Sequence, residues 1–324
     1  MTKAEPQELP TFFGFLLLDD FTLISMSSAI ETLRMANRVA GSRVYSWRLI
    51  SRDGGAVTAS DGVSLNADFG IGDEIQSRTM DAIVVCGGEG VERFAAKPVL
   101  RWLRACSGRG LALGSTCTGS YVLAKAGLLD GYRCSIHWEN YAALTLGFPK
   151  ITVGSSIYTI DRDRFTSSGG TAPMDMMLYF VRRQLGTEIS EGVADQFVHE
   201  RIRDPRDRQR VPLRHIVGGQ STKLVAAVEL MECNIREPFN QVELASYVGL
   251  SRRQLQRLFQ KYLLCSPSHY YLQLRLQRAR QLLFQTDFSI VEIAAQTGFV
   301  SSSHFSTTYK KLYGNTPSAE RAAK

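Results

Sequence analysis

The sequence predicts an α/β domain with a mostly parallel sheet, followed by an all-α domain. Two patterns indicate this fold class. Short apolar runs alternate with amphipathic helical stretches over roughly the first 200 residues, and apolar residues recur only at helical spacing from residue 221 to the end. The chain of 324 residues is also longer than one hydrophobic core usually organises. We therefore expect two domains.

The predicted sheet of the first domain consists of short apolar runs that resemble buried strands. These are FFGFLLL at 12–18, SWRLISR at 46–52, AIVVCGG at 82–88 and LALGS at 111–115. Helix-like stretches occupy 30–39, 99–106, 174–186 and 191–202. Such an alternation is typical of an open, mostly parallel sheet that is covered by helices.

The domain boundaries follow from local composition. The stretch RDPRDRQRVPLRHIVGGQ, residues 203–220, combines two prolines, adjacent glycines and dense charge, which disfavours a continuous helix or strand. We therefore predict a disordered N-terminus at 1–11, a first domain at 12–202, a linker at 203–220 and a second domain at 221–324.

The positive charge of the chain is concentrated in its last third. The net charge is +7 overall, and residues 200–324 hold 19 Lys and Arg against 10 Asp and Glu, whereas the remainder holds 19 against 21. A local basic excess of this kind favours a polyanionic partner over a mere solubility effect.

Composition also excludes several kinds of site. The six cysteines form no C-x-x-C pair and the histidines stand at no metal-ligand spacing from them, so we predict no disulfide framework, no metal and no cofactor. The N-terminus lacks a signal-peptide pattern, and the apolar run at 12–18 is too short to cross a bilayer. We expect a cytoplasmic protein without a membrane partner.

The stretch VELASYVGLSRRQLQRLFQKYL, residues 242–263, has the pattern of a helix-turn-helix. The small Ala245 lets two helices cross closely, Gly249 takes the turn and Ser251 can cap the second helix. Polar side chains that suit base edges and phosphates point away from the predicted core: Arg252, Arg253, Gln256, Arg257 and Lys261.

The same pattern returns about fifty residues later as SIVEIAAQTGFVSSSHFSTTYKKLYG, residues 289–314, with Gly298 at the turn. Its exposed set is more polar: Ser302, Ser303, His304, Ser306, Thr307, Lys310 and Lys311. One such segment is equally compatible with a plain pair of helices. Two of them in a basic region favour DNA binding, with two helices entering major-groove segments about one helical turn (~34 Å) apart.

Residues 242–318 resemble the DNA-binding domain of the AraC/XylS family. The matching motifs are LSRRQLQRLF, RLQRARQLL, I-x-E-I-A-x-x-x-G-F followed by S-x-S-H-F-S, and Y-G-N-T-P-S. After Ser318 the chain reads AERAAK where the family has an aromatic residue and an arginine, a departure that concerns the last packing contact rather than the function. The resemblance implies a bacterial, nucleoid-associated transcription activator that binds promoter DNA as a homodimer and recruits RNA polymerase.

The first domain contains a strand-to-helix turn with chemical character. In GSTCTGSYVLAKAGLLDG, residues 114–131, an apolar strand leads into Cys117 and then into an amphipathic helix. Such a turn exposes its apical side chain beside helix N-terminal N–H groups, so it suits a nucleophile or an anion. The segment is similar to the nucleophile elbow of the DJ-1/PfpI-like, class I glutamine-amidotransferase superfamily, as are the Gly87-Gly88 turn, S-I-H-W at 135–138 and TSSGGTAPMDMML at 166–178. This resemblance implies a flavodoxin-like parallel sheet over about residues 12–195.

The residues leave three interpretations of Cys117 open. A thiol enzyme with an appended DNA-binding module would use a Cys117 thiolate, with His137 as the obvious basic partner. However, LISMSS at 23–28 lacks the acid that hydrolytic members of the superfamily place near the first βα turn. Alternatively, a structural cysteine would simply fill the elbow.

The favoured interpretation is a non-catalytic receptor for a small-molecule effector. Helix N-terminal N–H groups would hold a carboxylate, and an aromatic ring would face a cationic amine. The candidate effector-binding residues are Cys117, Thr118, Gly119, Tyr121, His137 and Trp138. An amino acid or a quaternary amine would fit, and the resemblance agrees, because AraC-type regulators with such a sensor domain include regulators of arginine, carnitine and glycine betaine use.

Overall fold

The computed structural model describes residues 9–73, 79–205, 207, 209 and 222–322. They fall into two compact units, one that ends at Gln209 and one that follows it. The first is α/β and the second is all-α, which confirms the predicted fold class. The predicted linker at 203–220 lies mostly outside the described residues, as do residues 1–8, so these boundaries stay predictions. Thr11, in the predicted disordered N-terminus, donates from its N–H to the Asp81 carboxylate at 2.9 Å.

The first unit is built around a seven-stranded sheet. The described strands of the whole unit are β1 (Phe12–Leu17), β2 (Ser46–Ser51), β3 (Ala56–Thr58), β4 (Ser64–Asn66), β5 (Phe69–Gly70), β6 (Ala82–Cys86), β7 (Ala112–Thr116), β8 (Arg133–Cys134), β9 (Thr152–Val153), β10 (Tyr158–Asp161) and β11 (Arg164–Ser167). The order in the large sheet is β10-β11-β7-β6-β1-β2-β5, with only the β10–β11 pair antiparallel. The pairs β3–β4 and β8–β9 stand apart as small sheets.

Burial on both faces explains why the central strands are so apolar. In β1, Phe13 and Phe15 join the core on one face of the sheet, and Leu16 joins the core on the other. A parallel strand that is covered on both sides reads as a continuous apolar run. The four predicted strands correspond to β1, β2, β6 and β7, and their existence is confirmed.

Helices cover both faces of this sheet. They are α1 (Leu23–Val39), α2 (Lys97–Gly108), α3 (Gly119–Lys125), α4 (Tyr141–Gly147), α5 (Ala172–Leu185) and α6 (Thr187–Gln196). Residues of α1, α5 and α6 line one core, and residues of α2 and α3 line the other. Short 3-10 helices occupy Val91–Phe94 and Trp138–Asn140.

The predicted helix at 191–202 is wrong over its last turns. The helix α6 ends at Gln196, and Val198 takes a left-handed conformation with φ of 52°. Beyond it, His199 Nε2 lies 2.9 Å from the fully buried Asp175 carboxylate. A buried carboxylate needs hydrogen-bond partners, and this contact turns the chain out of the helical path.

The second unit contains α7 (Thr222–Cys233), α8 (Gln241–Tyr247), α9 (Arg252–Leu263), α10 (Pro267–Gln285), α11 (Ile290–Gln296), α12 (Ser302–Tyr313) and α13 (Pro317–Ala322). The pairs α8–α9 and α11–α12 are the two helix-turn-helix units. Capping boxes begin three of these helices, with Asn240, Ser251 and Ser289 as the caps. Within the described part of the chain, no helix is both long and apolar enough to cross a membrane.

The C-terminal departure from the family pattern has its own packing contact. Glu320 on α13 accepts a hydrogen bond from Arg280 Nε at 2.7 Å and one from the Tyr309 hydroxyl at 2.8 Å. It therefore joins α10, α12 and α13.

Candidate functional site

The helix α9 presents one apolar and one polar face. Leu255 and Phe259 are fully buried in the core that α9 shares with α7, α8 and α10. The polar face is exposed and carries all five residues predicted to contact DNA: Arg252, Arg253, Gln256, Arg257 and Lys261. A helix with this division can lie in a groove while its back remains in the protein core.

The start of α9 is firmly defined. Gly249 has a φ of 63° at the turn, as the sequence predicts for a glycine there. The Ser251 hydroxyl accepts the Gln254 N–H at 3.2 Å, and the Gln254 side chain accepts the Ser251 N–H at 2.8 Å. This capping box fixes the residue at which α9 begins.

Arg252 is held by a residue that none of the sequence motifs indicates. Arg252 donates from Nε to Gln241 Oε1 at 2.8 Å, and Gln241 donates from Nε2 to the Ser268 hydroxyl at 2.5 Å. The two bonds connect the first turns of α8, α9 and α10. Only the position of Gln241 directly after a helix cap marks it in the sequence, and that position does not indicate its partner.

The corresponding face of α12 is smaller. Phe305 and Tyr309 are fully buried. Among the predicted contacts on this helix, Ser303, Thr307 and Lys311 are exposed, whereas Ser302 and Ser306 are half-buried. The face is built mainly from hydroxyl groups, so we expect it to contribute less charge attraction to DNA than α9.

A second residue that the motifs did not indicate holds the α11–α12 unit. Arg275 on α10 donates from Nε to the Thr297 carbonyl at 2.8 Å, and its guanidinium lies 4.2 Å from the Phe299 ring centroid. The contact attaches the second helix-turn-helix to the long connecting helix.

In the first unit, Cys117 stands at the apex of a sharp turn between β7 and α3. Its φ of 57° is left-handed, which is rare for a residue with a side chain. Such a conformation is characteristic of the nucleophile elbow that the sequence predicts. The thiol is nevertheless only 6% exposed.

The surroundings of Cys117 keep its thiol protonated. Burial is the largest influence and raises its pKa, while the Thr22 hydroxyl, 3.4 Å from Sγ, and the Thr118 N–H lower it. Glu139 raises it further. Since the net effect is an increase above an ordinary value that already exceeds neutrality, the thiol is not a thiolate at neutral pH.

His137 lies beside this thiol. The main-chain N–H of His137 donates to the Cys117 carbonyl at 3.2 Å. A Cβ placed on Gly169 would lie 2.7 Å from His137 Cδ2 and 3.4 Å from Cys117 Sγ, so the imidazole and the sulfur border the same glycine. Burial lowers the pKa of His137, and Glu139, whose Oε2 lies 3.9 Å from Nδ1, only partly offsets this. The imidazole is therefore neutral at pH 7.

Four predicted effector-site residues remain, and Tyr121 differs from the other three in its contacts. Trp138 packs beside His137, with ring centroids 5.6 Å apart, and Thr118 donates from its hydroxyl to the Gly88 carbonyl at 2.7 Å. Gly119, buried, follows as the first residue of α3.

Tyr121 makes different contacts. Its ring meets Phe148 at 5.7 Å, and the Lys125 ammonium lies 5.7 Å from its centroid. Trp138, by contrast, packs beside His137, which borders the same glycine as the Cys117 sulfur. Within the described residues, no group of three His, Cys, Asp or Glu is placed to hold a metal ion.

Comparisons with known proteins match both units. The model of the DJ-1/PfpI family matches residues 14–183, and a helix-turn-helix domain model matches residues 244–323. The HTH-type transcriptional regulator GbdR of Pseudomonas aeruginosa is 52% identical over 312 residues, which cover 96% of this chain and 84% of GbdR. This chain belongs to the AraC-type transcription regulators that carry a DJ-1/PfpI domain.

Two further relatives of this AraC-type regulator are similar over long stretches. The HTH-type transcriptional regulator CdhR of Pseudomonas aeruginosa is 40% identical over 310 residues, covering 96% of this chain and 91% of CdhR. The crystal structure of an AraC family transcriptional regulator from Pseudomonas putida is 33% identical, with a TM-score of 0.53 over 58% of this chain and all of that chain. Promoter DNA is accordingly a partner of this regulator.

Proposed function

We propose that this regulator is a transcription activator controlled by an amino acid or a betaine-like quaternary amine, which binds at the Cys117 elbow. The observation that carries this proposal is the buried Cys117 thiol, which lies 3.4 Å from the neutral Thr22 hydroxyl and borders the same glycine, Gly169, as the His137 imidazole. Burial raises the pKa of this thiol and lowers the pKa of His137. A thiol in these surroundings is poorly suited to nucleophilic attack. The elbow is better suited to recognise a ligand than to transform one.

The chemistry of the elbow fits a zwitterion. The N–H groups of Thr118 and Gly119 at the start of α3 suit a carboxylate. Trp138 offers an aromatic face to a cationic amine, and the neutral His137 beside it does not repel a positive charge. Trp138 is the stronger candidate because its ring packs beside His137, which borders the same glycine as the Cys117 sulfur.

DNA recognition is assigned to α9 and α12. On α9 the candidates are the five exposed side chains of its polar face, and on α12 they are Ser302, Ser303, Ser306, Thr307 and Lys311. The cations suit phosphates and guanine, and the amide of Gln256 suits adenine. A homodimer would place four such helices on a promoter, and RNA polymerase would be recruited there. Effector binding would shift the sensor domain between two states that differ in their effect on DNA binding.

A ligand screen tests the effector assignment. The full chain is heated with glycine betaine, carnitine, arginine and other amino acids, because a ligand that binds only the native state must raise the melting temperature. We expect one of these compounds to raise it. Trp138→Ala should abolish the shift, and Tyr121→Ala is the matched aromatic control that should retain it. No shift with any of these zwitterions would overturn the assigned effector class.

The second candidate is a thiol enzyme with an attached DNA-binding domain, which the left-handed φ of Cys117 favours. An enzyme of this kind needs the Cys117 sulfur as its nucleophile, whereas a receptor does not. Cys117→Ala should keep its transcriptional response and its effector binding if the elbow is a receptor. Loss of the response with effector binding intact would instead favour the enzyme.

A further inference from the structure

Residues 199–205, 207 and 209 follow α6, and several of them are hydrogen-bonded to the first unit. The fully buried Asp175 carboxylate accepts hydrogen bonds from the Arg203 N–H at 2.7 Å and from Arg203 Nε at 2.9 Å. Its contact with His199 Nε2 is 2.9 Å long. Charge-assisted bonds to a buried carboxylate hold the beginning of this segment in place.

The end of the same segment is bonded close to the elbow. Gln209 donates from Nε2 to the Ile136 carbonyl at 2.7 Å and to the Ser156 carbonyl at 3.0 Å. Its own N–H donates to the Ser155 carbonyl at 3.2 Å. Ile136 directly precedes His137, so the Gln209 amide lies one peptide away from the proposed effector site.

Two hydrogen-bonded routes therefore connect this segment with Cys117. One runs through residues 136 and 137, since the His137 N–H donates to the Cys117 carbonyl. The other begins where Ile157 N–H donates to the Asp207 carbonyl at 2.9 Å, continues from Ser168 N–H to the Ile157 carbonyl at 2.7 Å, and ends where Cys117 N–H donates to the Ser168 carbonyl at 3.2 Å.

We propose that Gln209 is a positioning residue of the effector site, which holds the turn at 136–138 and transmits its occupancy to the chain that leads into the DNA-binding domain. The proposal rests on the proposed function. Coupling between two sites is reciprocal. If the Gln209 bonds stabilise the turn that binds effector, bound effector stabilises the docked position of residues 207 and 209 by the same factor.

The test compares two glutamines in the full chain. Gln209→Met keeps the length of the side chain but removes its donor. Gln184→Met is the control for such a loss on a different part of the unit, because Gln184 donates from Nε2 to the Leu9 carbonyl at 2.9 Å and accepts the Tyr45 hydroxyl at 2.6 Å. Hydrogen exchange by mass spectrometry follows peptides covering 134–141, calorimetry measures glycine betaine binding, and melting temperatures verify folding.

Gln209→Met removes both Nε2 bonds, of which only the bond to the Ile136 carbonyl reaches the 136–138 turn. We expect exchange at 135–140 to quicken and glycine betaine to bind about tenfold more weakly, as for the loss of that one hydrogen bond at the turn. The control should change neither. Unaltered exchange at 135–140, or equal losses in both variants, would overturn the positioning role. If wild-type protein binds no glycine betaine, that failure belongs to the effector assignment, and the exchange at 135–140 still decides whether Gln209 holds the turn.

Discussion

The Thr22 hydroxyl donates a hydrogen bond to the Cys117 sulfur at 3.4 Å, between residues that are 95 positions apart. Thr22 follows β1 and directly precedes α1, next to the stretch 23–28, which contains no acid. A hydroxyl can solvate the sulfur, but it cannot take up the thiol proton at neutral pH. Burial consequently dominates, and the pKa of Cys117 is raised.

The first prediction concerns the reactivity of this thiol. Cys117 is 6% exposed and burial raises the pKa of its thiol, whereas Cys233 is exposed. We expect iodoacetamide at pH 7.5 to alkylate Cys117 at least about tenfold more slowly than Cys233, since the thiolate is the reactive form. Peptide mapping over time measures both rates in one sample. Preferential labelling of Cys117 would contradict a non-catalytic elbow.

The second prediction concerns acid stability. Burial lowers the pKa of His137 below its ordinary value of 6.5, so between those two values the unfolded chain binds more protons than the folded one. His137 therefore destabilises the first unit as the pH falls from about 6.5 through its folded pKa, and above 6.5 this effect is absent. His137→Gln should flatten the acid side of the stability profile.

Tryptophan fluorescence is the suitable probe for this effect. The three tryptophans, Trp47, Trp102 and Trp138, all lie in the first unit. Between pH 7.5 and pH 5, the urea midpoint should fall less steeply with decreasing pH in the variant than in the wild type. The exposed His304, in the second unit, provides a control: His304→Gln should leave the tryptophan transition unchanged at every pH.

The fold class and both helix-turn-helix units were predictable because each depends on a local, repeated pattern. Strands such as β1 and β6 are long and buried on both faces, so their apolar runs are conspicuous. By contrast, β5 and β8 have two residues each and exist because a neighbouring segment supplies their hydrogen bonds. No periodicity can develop in so short a span.

The apex of the candidate elbow was predictable from the sequence, but the residues that contact it were not. The elbow motif identifies Cys117, and the S-I-H-W motif identifies His137. The tertiary fold brings Thr22 to Cys117, which is 95 positions away in the sequence. It also brings Gln209 to Ile136, which directly precedes His137 and is 73 positions away from Gln209. A single sequence carries no signal for such pairings.

The third prediction concerns base selectivity. Arg253 and Gln256 lie on the exposed face of α9. Substituting either by Ala should remove about 1–3 kcal/mol of discrimination between the operator and a scrambled duplex. Lys261→Ala should instead weaken binding to both duplexes. It should also reduce the slope of the logarithm of the binding constant against the logarithm of salt concentration by the amount expected for about one phosphate contact. Fluorescence anisotropy over a salt series measures both quantities. An unchanged selectivity ratio in Arg253→Ala and Gln256→Ala would contradict the assignment of α9.

The fourth prediction concerns Gln241, which holds Arg252 Nε at 2.8 Å. Gln241→Ala should weaken DNA binding by freeing the Arg252 side chain, an entropic effect of about 1 kcal/mol. In a double-mutant cycle, the loss in Gln241→Ala should disappear once Arg252 is already Ala. Additive losses would show that Gln241 acts independently of Arg252. Gln273→Ala, an exposed glutamine on α10, is the matched control and should bind DNA normally.

The fifth prediction compares the two turn glycines, which hold equivalent positions in the repeated units. Both are left-handed, with φ of 63° for Gly249 and 74° for Gly298, so Ala at either should cost about 1–2 kcal/mol in backbone strain. Only Gly298 is also crowded: a Cβ there would lie 2.7 Å from the Ile235 carbonyl oxygen and 2.9 Å from that of Arg236. At Gly249 the nearest atom is the flexible Lys223 Nζ at 3.6 Å.

Gly298→Ala should therefore destabilise the second unit by about 3 kcal/mol or more, and Gly249→Ala by clearly less. Urea unfolding followed by circular dichroism at 222 nm reports on both units, whereas tryptophan fluorescence reports on the first alone. The circular-dichroism transition should move in both variants, further in Gly298→Ala, while the fluorescence transition stays in place. Equal losses in the two variants would mean that the loop at 235–236 yields to the added methyl group, and that the α11–α12 unit does not depend on this close approach.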